Sequence, residues 1–229
     1  MNMKKYLLGA FVTGVAACLW SAGAAANLVL NGSFEDLNGS STLSDGYYEA
    51  LNNGSSRLPN WDVTAIVNAG VDIVRETGIG YGDNDWAQHG VQGIDMAGSP
   101  GPGSISQDIS TTASQAYRLS FWTLANGSVA KTGLLGVKWN GTTIPGSESL
   151  VALAQGNAWT EHVFTVLGTG GFDNLMFSDL QTGGSDAGVL LDNVSLTAVP
   201  LPPAAILFGS VLFGFSVVAR KRNRSALAA

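Results

Sequence analysis

The last thirty residues constrain this chain more than any other part. Val199-Pro200-Leu201-Pro202-Pro203 leads into an uncharged apolar run, Ala204 to Ala219, and then into Arg220-Lys221-Arg222-Asn223-Arg224. Counted from Leu201 the run is 19 residues, roughly 28 Å as a helix at ~1.5 Å per residue. A hydrocarbon core of ~30 Å is nearly matched. Prolines are tolerated at the start because the first helical turn has unpaired N–H groups in any case. The basic cluster stays cytoplasmic by the positive-inside rule. The sequence therefore predicts a single C-terminal transmembrane helix, 204–219, a basic tail, 220–229, and everything before Val199 on the far side of the membrane.

The other end agrees. Lys4 and Lys5 precede an apolar stretch from Tyr6 to Trp20, and Ala24-Ala25-Ala26 offers an A-x-A cleavage site. This pattern predicts a secretory signal peptide, 1–26, cut between Ala26 and Asn27. Val15-Ala16-Ala17-Cys18 also fits a lipoprotein box in which Cys18 carries a lipid. Bulky Leu19-Trp20 after the cysteine favours simple cleavage.

Between the two ends lies one domain, 27–198, long enough to bury ~70% of its chain surface. All 17 acidic residues fall in it. Its basic residues are only Arg57, Arg75, Arg118, Lys131 and Lys138, which leaves a net charge of −12. Such a segment repels nucleic acid and anionic lipid but is compatible with divalent cations and neutral glycans. The single cysteine, Cys18, leaves with the signal peptide, so the exported domain has no disulfide.

No segment of this domain has a helical period. About nine short stretches alternate as strands between glycine-rich turns: 28–30, 61–67, 71–76, 104–109, 117–124, 134–140, 159–167, 174–180 and 189–196. Asn140-Gly141 is a hairpin signal. The expectation is an all-β antiparallel sandwich of the jelly-roll kind, with long loops at 37–59 and 78–103. Trp61, Phe121 and Trp159 fall in strand patterns that point to the core, whereas Trp122 and Trp139 fall on the opposite parity.

Two resemblances add to this reading. The Val199-Pro200-Leu201-Pro202 motif, the glycine-containing apolar run and the Arg220-Lys221-Arg222 end resemble a PEP-CTERM sorting signal, in a variant with Leu201 where such signals usually have Glu. That resemblance implies a Gram-negative, biofilm-forming source and processing by an exosortase-type membrane enzyme, so that the anchor is transient. An ordinary C-terminal anchor is the alternative. Within the domain, Asn27-Leu28-Val29-Leu30-Asn31-Gly32-Ser33-Phe34-Glu35, Leu58-Pro59-Asn60-Trp61, Gly93-Ile94-Asp95-Met96-Ala97-Gly98, Tyr117-Arg118-Leu119-Ser120-Phe121 and Leu191-Asp192-Asn193-Val194-Ser195-Leu196 occur in order. Together they are similar to the choice-of-anchor C family of exported domains, which resembles galactose-binding-like sandwiches and carbohydrate-binding modules.

The second resemblance implies that the ends of the domain lie together and that Glu35 and Asp192 share a structural Ca²⁺, an ion suited to hard carboxylate oxygens. The alternative is that both carboxylates accept backbone amides and hold the termini. A second candidate is the loop 80–90, where Tyr81 and Trp86 offer stacking faces and Asp83, Asp85 and Gln88 offer hydrogen-bonding groups for a sugar. The alternatives there are that Asp83-Asn84-Asp85 holds calcium, although it lacks the full spacing of an EF-hand loop, and that Trp86 tucks into the sandwich. Only His89 and His162 are available for general acid–base work, and no nucleophile elbow, zinc helix, P-loop or dinucleotide motif is present in the sequence. The sequence thus predicts a non-enzymatic surface or matrix protein that binds extracellular polysaccharide. A purely structural protein is the alternative, and a polysaccharide hydrolase is a third.

Overall fold

The protein is described from a computed structural model covering residues 26–39, 41–44, 46–65, 70–75, 86–98, 101, 103–126, 133–152, 158–180 and 188–200. The signal-peptide and transmembrane expectations, residues 1–25 and 201–229, lie outside the described residues.

Twelve strands occur among them: β1 (Tyr48–Leu51), β2 (Asp62–Ala65), β3 (Val71–Arg75), β4 (Gln92–Asp95), β5 (Gly103–Ser110), β6 (Ala116–Ala125), β7 (Gly133–Trp139), β8 (Thr142–Thr143), β9 (Leu150–Ala152), β10 (Thr160–Leu167), β11 (Phe172–Asp179) and β12 (Val189–Ala198). There is no helix among the described residues. One sheet runs β1-β3-β4-β12-β6-β10; the other runs β2-β5-β11-β7-β8, with β9 also on β7. Every pairing is antiparallel.

The two sheets close on each other because most strands turn one row of side chains inward. In β6, Tyr117, Leu119 and Phe121 join the main core, while Leu124 on the other parity joins a second, smaller cluster. Across the gap the Phe121 ring meets Phe177 of β11 edge-on at 5.0 Å, a geometry that suits the aromatic quadrupoles. Trp61 and Phe34 extend this row, at 6.3 Å to Phe177 and 5.5 Å to each other. Burying each such ring contributes roughly 1.5–3 kcal/mol.

The ends of the domain are stitched together. Leu28 N donates to Leu196 O at 2.9 Å, and Val194 N donates to Gly32 O at 2.8 Å. The Asn27 side chain accepts from Leu196 N at 2.8 Å and donates to Val194 O at 3.2 Å. Gly32 is required there, since a Cβ would fall 2.1 Å from Val194 O.

Several expectations need correction. Residues 28–30 lie against β12 but form no strand of their own. The supposed loops 37–59 and 78–103 contain β1 and β4. β4 is buried on both faces, so it shows no alternation to read. β8 and β9 are two- and three-residue strands, too short to carry a period. Trp139 is buried and donates its indole N–H to Leu167 O at 3.0 Å. Trp159 is not in the main core; it packs half-buried on the smaller cluster.

Candidate functional site

The outward face of the β1–β10 sheet carries its own small apolar floor. Register places Tyr48 opposite Val74, Val74 opposite Gly93, and Leu190 opposite Leu124. Val74, Leu124 and Leu190 are buried, with Tyr48, Trp86 and Trp159 packed over them. Tyr47 adds a fourth aromatic, its ring 5.1 Å from Tyr48 and 6.1 Å from Trp86. Four half-buried aromatic rings thus gather on one sheet face, drawn from three separate chain segments. The buried Trp86 indole nitrogen meets no acceptor among the described residues.

Trp86 is fixed by the segment that follows it. That segment folds back over the sheet, bringing the Trp86 carbonyl so close to Gly93 that a Cβ there would stand 2.5 Å away. Gln88 N and His89 N both donate to Asp192 Oδ2 at 2.7 Å. Val91 N and Gln92 N donate to Glu35 Oε1 at 2.8 and 2.9 Å. The buried Gln92 side chain returns the contact, donating to Phe34 O at 3.0 Å and Glu35 O at 3.3 Å. Gly90, at the tip, has φ +77° and no room for a side chain beside Glu35.

Local backbone features aim the two acids. Phe34, at φ +57°, anchors its ring in the core while Glu35 turns to the loop. β12 has a bulge between Asp192 and Ser195, with Asn193 at φ +50°. The extra residue lets Asp192 face outward while Val194 still enters the core. Asn193 N caps Asp192 Oδ1 at 2.5 Å, and its amide group donates to Gln88 Oε1 at 2.8 Å. Asp192 is fully buried. Burial, with a smaller push from the charge of Glu35, raises its carboxyl to about 6 against the amide bonds that lower it.

The structure therefore brings Glu35, Asp192, Gln88 and Trp86 into one assembly. Both predicted metal ligands are engaged by N–H donors, and Gln88 is engaged by Asn193. Oxygen chemistry suits calcium, but the Asp192 oxygens and one Glu35 oxygen are satisfied as the chain lies. Among the described residues no cluster of three or more acidic, histidine or cysteine side chains has metal-holding geometry. Tyr81, Asp83 and Asp85 lie outside the described residues, as do Leu201, Pro202, Arg220, Lys221 and Arg222. Val199 and Pro200 close the described chain just beyond β12.

The two histidines are apart. His89 is exposed; His162 stacks on Phe121 at 5.2 Å and shares a 2.8 Å hydrogen bond with Thr123. Burial lowers the His162 pKa. No sequence pattern marks the Tyr47-Tyr48 pair as part of the site, because the pair falls in a polar, glycine-rich stretch without strand alternation. The glycine at position 93 within a buried strand was the one available hint of a close approach.

This is an antiparallel two-sheet β-protein with an aromatic patch on one outer face. The chain belongs to the family described as protein of unknown function (DUF642), whose model matches residues 27–197. No curated protein matches it. Its fold is similar to those of solved carbohydrate-binding modules. A family 35 module from Clostridium thermocellum is 13% identical, with 66% of this chain and 98% of the module covered at a TM-score of 0.40. A family 16 module is 17% identical, with 75% and 99% covered at 0.42. A CBM22-1 xylan-binding domain from Paenibacillus barcinonensis is 12% identical, with 80% and 100% covered at 0.42.

Proposed function

We propose that this protein is an exported, non-catalytic domain of the choice-of-anchor C kind that binds extracellular polysaccharide through the outer face of its β1–β10 sheet. The observation that carries the reading is the convergence of Tyr47, Tyr48, Trp86 and Trp159 over a preformed apolar floor. Aromatic rings held in place give pyranose faces a stacking surface at low entropic cost. A net charge of −12 over 27–198 directs that surface toward neutral rather than acidic polymer. The test is binding of the full chain to neutral matrix polysaccharides. Saturable binding weakened by Tyr47→Ser supports the reading; none to any neutral polymer leaves a purely structural surface protein.

Export and processing belong to the same reading. The signal peptide delivers the domain across the inner membrane, and the Val199-Pro200-Leu201-Pro202 tail passes it to an exosortase-type enzyme. Intact-mass measurement of the cellular product checks both: the prediction is an N-terminus at Asn27 and loss of the 204–219 run. An N-terminus at a lipidated Cys18 contradicts the first cut. A retained tail contradicts the second.

A second reading of Glu35 and Asp192, the two carboxylates that clasp the 88–92 segment, is favoured by one observation. The charge of Glu35 contributes to raising the Asp192 carboxyl, so two acids from opposite ends of the domain lie near each other against the 88–92 segment. A Ca²⁺ shared by Glu35 and Asp192 would relieve that repulsion and hold both carboxylates ionised.

A further inference from the structure

We infer that the end of the sandwich from which the C-terminal tail departs is a lipid-facing surface, resting on the membrane while the tail is in place. This inference rests on the reading of 204–219 as a membrane segment.

The domain is firm up to the exit point. Ala198 still pairs with Tyr117 in register, Val199 N donates to Ala116 O at 2.9 Å, and Gln115 Nε2 donates to Val199 O at 2.8 Å. Only Pro200 to Pro203 then precede the apolar run. Four residues span at most about 14 Å at ~3.3–3.6 Å each. Whatever membrane holds the run lies within that reach of this end.

The same end shows apolar side chains to solvent. Val199, just past β12, is hydrogen-bonded to Ala116 of β6, which register sets opposite Leu167 of β10, so the three lie in one row on the outward face. Leu167 is 62% exposed, and Phe172, which opens β11 on the other sheet, is 77% exposed. The turn between them is rigid rather than a loose tip: Thr111 N bonds Gly171 O, Ser114 N bonds Gly168 O, and Gly168 N bonds Gln115 O at 2.8–2.9 Å. Beneath it Asp173 is buried, accepting from Thr111 Oγ1 at 2.5 Å, Thr169 Oγ1 at 2.6 Å and Asn140 Nδ2 at 2.7 Å.

Charge separates this end from the rest. Residues 111–115 and 168–171 contain no ionisable side chain, in a domain of net charge −12. The buried carboxylates Asp72, Asp95 and Asp179 sit at the far ends of β3, β4 and β11. An acidic domain is repelled by an anionic leaflet, so it approaches with the end whose surface turns carry no charge, the one carboxylate beneath them, Asp173, being buried. Once there, Phe172 and Leu167 leave water for the headgroup–acyl boundary, where such side chains settle. The occupant that fits is a lipid surface.

Depth measurement by spin labelling tests this. The full chain carrying Cys18→Ser and Phe172→Cys is nitroxide-labelled and reconstituted in phosphatidylethanolamine vesicles containing a minority of phosphatidylglycerol. Val151→Cys, exposed at the opposite end, is the control, and Ala113→Cys is a second site on the uncharged end. The expected result is a several-fold lower accessibility to an aqueous relaxing agent at 172 and 113 than at 151. Equal accessibility in a chain that floats with the vesicles overturns the lipid-facing end alone. A chain that does not float overturns the membrane reading of the tail and this inference with it. Spin–spin broadening at 172 that persists in detergent without vesicles overturns it in favour of a second copy of the chain.

Discussion

Glu35 and Asp192 hold opposite ends of the same five-residue segment. Asp192 takes the amides of Gln88 and His89, and Glu35 takes those of Val91 and Gln92, at 2.7–2.9 Å throughout. One acid comes from the first turn of the domain and the other from its last strand. Between them they fix the loop that carries Trp86, so chain ends and candidate binding face form one mechanical unit.

Cutting that unit at Glu35 has a predictable cost. Glu35→Ala leaves two backbone N–H groups without their charged acceptor, and such bonds are worth about 1.5–3 kcal/mol each when the donor stays buried. Gln92 is buried and Val91 exposed, so a total loss of about 2–3 kcal/mol is expected by chemical denaturation. Glu35→Gln keeps one acceptor oxygen and should recover at least half of it. An unchanged midpoint for the alanine variant would remove the clasp from the account.

The buried acids set the pH profile in metal-free buffer. Asp95 and Asp192 are each raised to about 6 from 3.8, chiefly by burial. Their folded forms bind protons more tightly than the unfolded chain does, so stability increases as pH falls from 7 through 6 toward 4. Asp173 has the opposite sign. Burial pushes it up, but its bonds to Thr111, Thr169 and Asn140 win and bring it to about 2. Its contribution is present above about 4 and is lost as pH falls toward 2. Melting temperature should therefore peak between about pH 4 and 6, and Asp192→Asn should flatten the rise on the neutral side. Steadily rising stability from pH 5 to 8 would contradict the assignment.

Calcium changes the same numbers if Glu35 and Asp192 share an ion. Binding to the folded state alone raises stability by mass action, about 2.7 kcal/mol at one hundred times the dissociation constant. Thermal unfolding with millimolar Ca²⁺ against EDTA should separate the midpoints by several degrees, and Asp192→Asn should abolish the difference. Identical midpoints in both buffers leave the pair as a hydrogen-bonded clasp.

Gly93 tests the close approach at the site. A Cβ there stands 2.5 Å from Trp86 O and 3.6 Å from Leu191 O, so Gly93→Ala must lift the 86–92 segment from the sheet. Overpacking of this kind costs about 1–3 kcal/mol. The loss should come with a red-shifted tryptophan emission as Trp86 gains water. A variant with wild-type stability and emission would show that the segment does not lie where the structure puts it.

Much of the fold was legible because most strands have one face in the core. β6, β7, β10 and β11 were read to within two residues, each alternating about a buried row such as Leu175 and Phe177. β4 and β1 were not legible. β4 is buried on both faces, and β1 is a short edge strand inside a polar, glycine-rich stretch. The pairing of Glu35 with Asp192 across 157 residues was expected from a family likeness and not from spacing. What they engage, a run of backbone amides, has no side-chain signature. Trp159 misled because strand parity says which face a ring occupies, not whether that face is the main core or the smaller cluster outside it.

The central claim is that aromatic rings on the outer face of the β1–β10 sheet engage neutral polysaccharide. Affinity electrophoresis of the full chain in gels cast with neutral matrix polysaccharide tests it most directly, with Tyr47→Ser and Phe172→Ser run alongside. The account predicts retardation of the wild type and of Phe172→Ser, and a several-fold weaker retardation of Tyr47→Ser. Equal mobility of all three with and without polymer would contradict it.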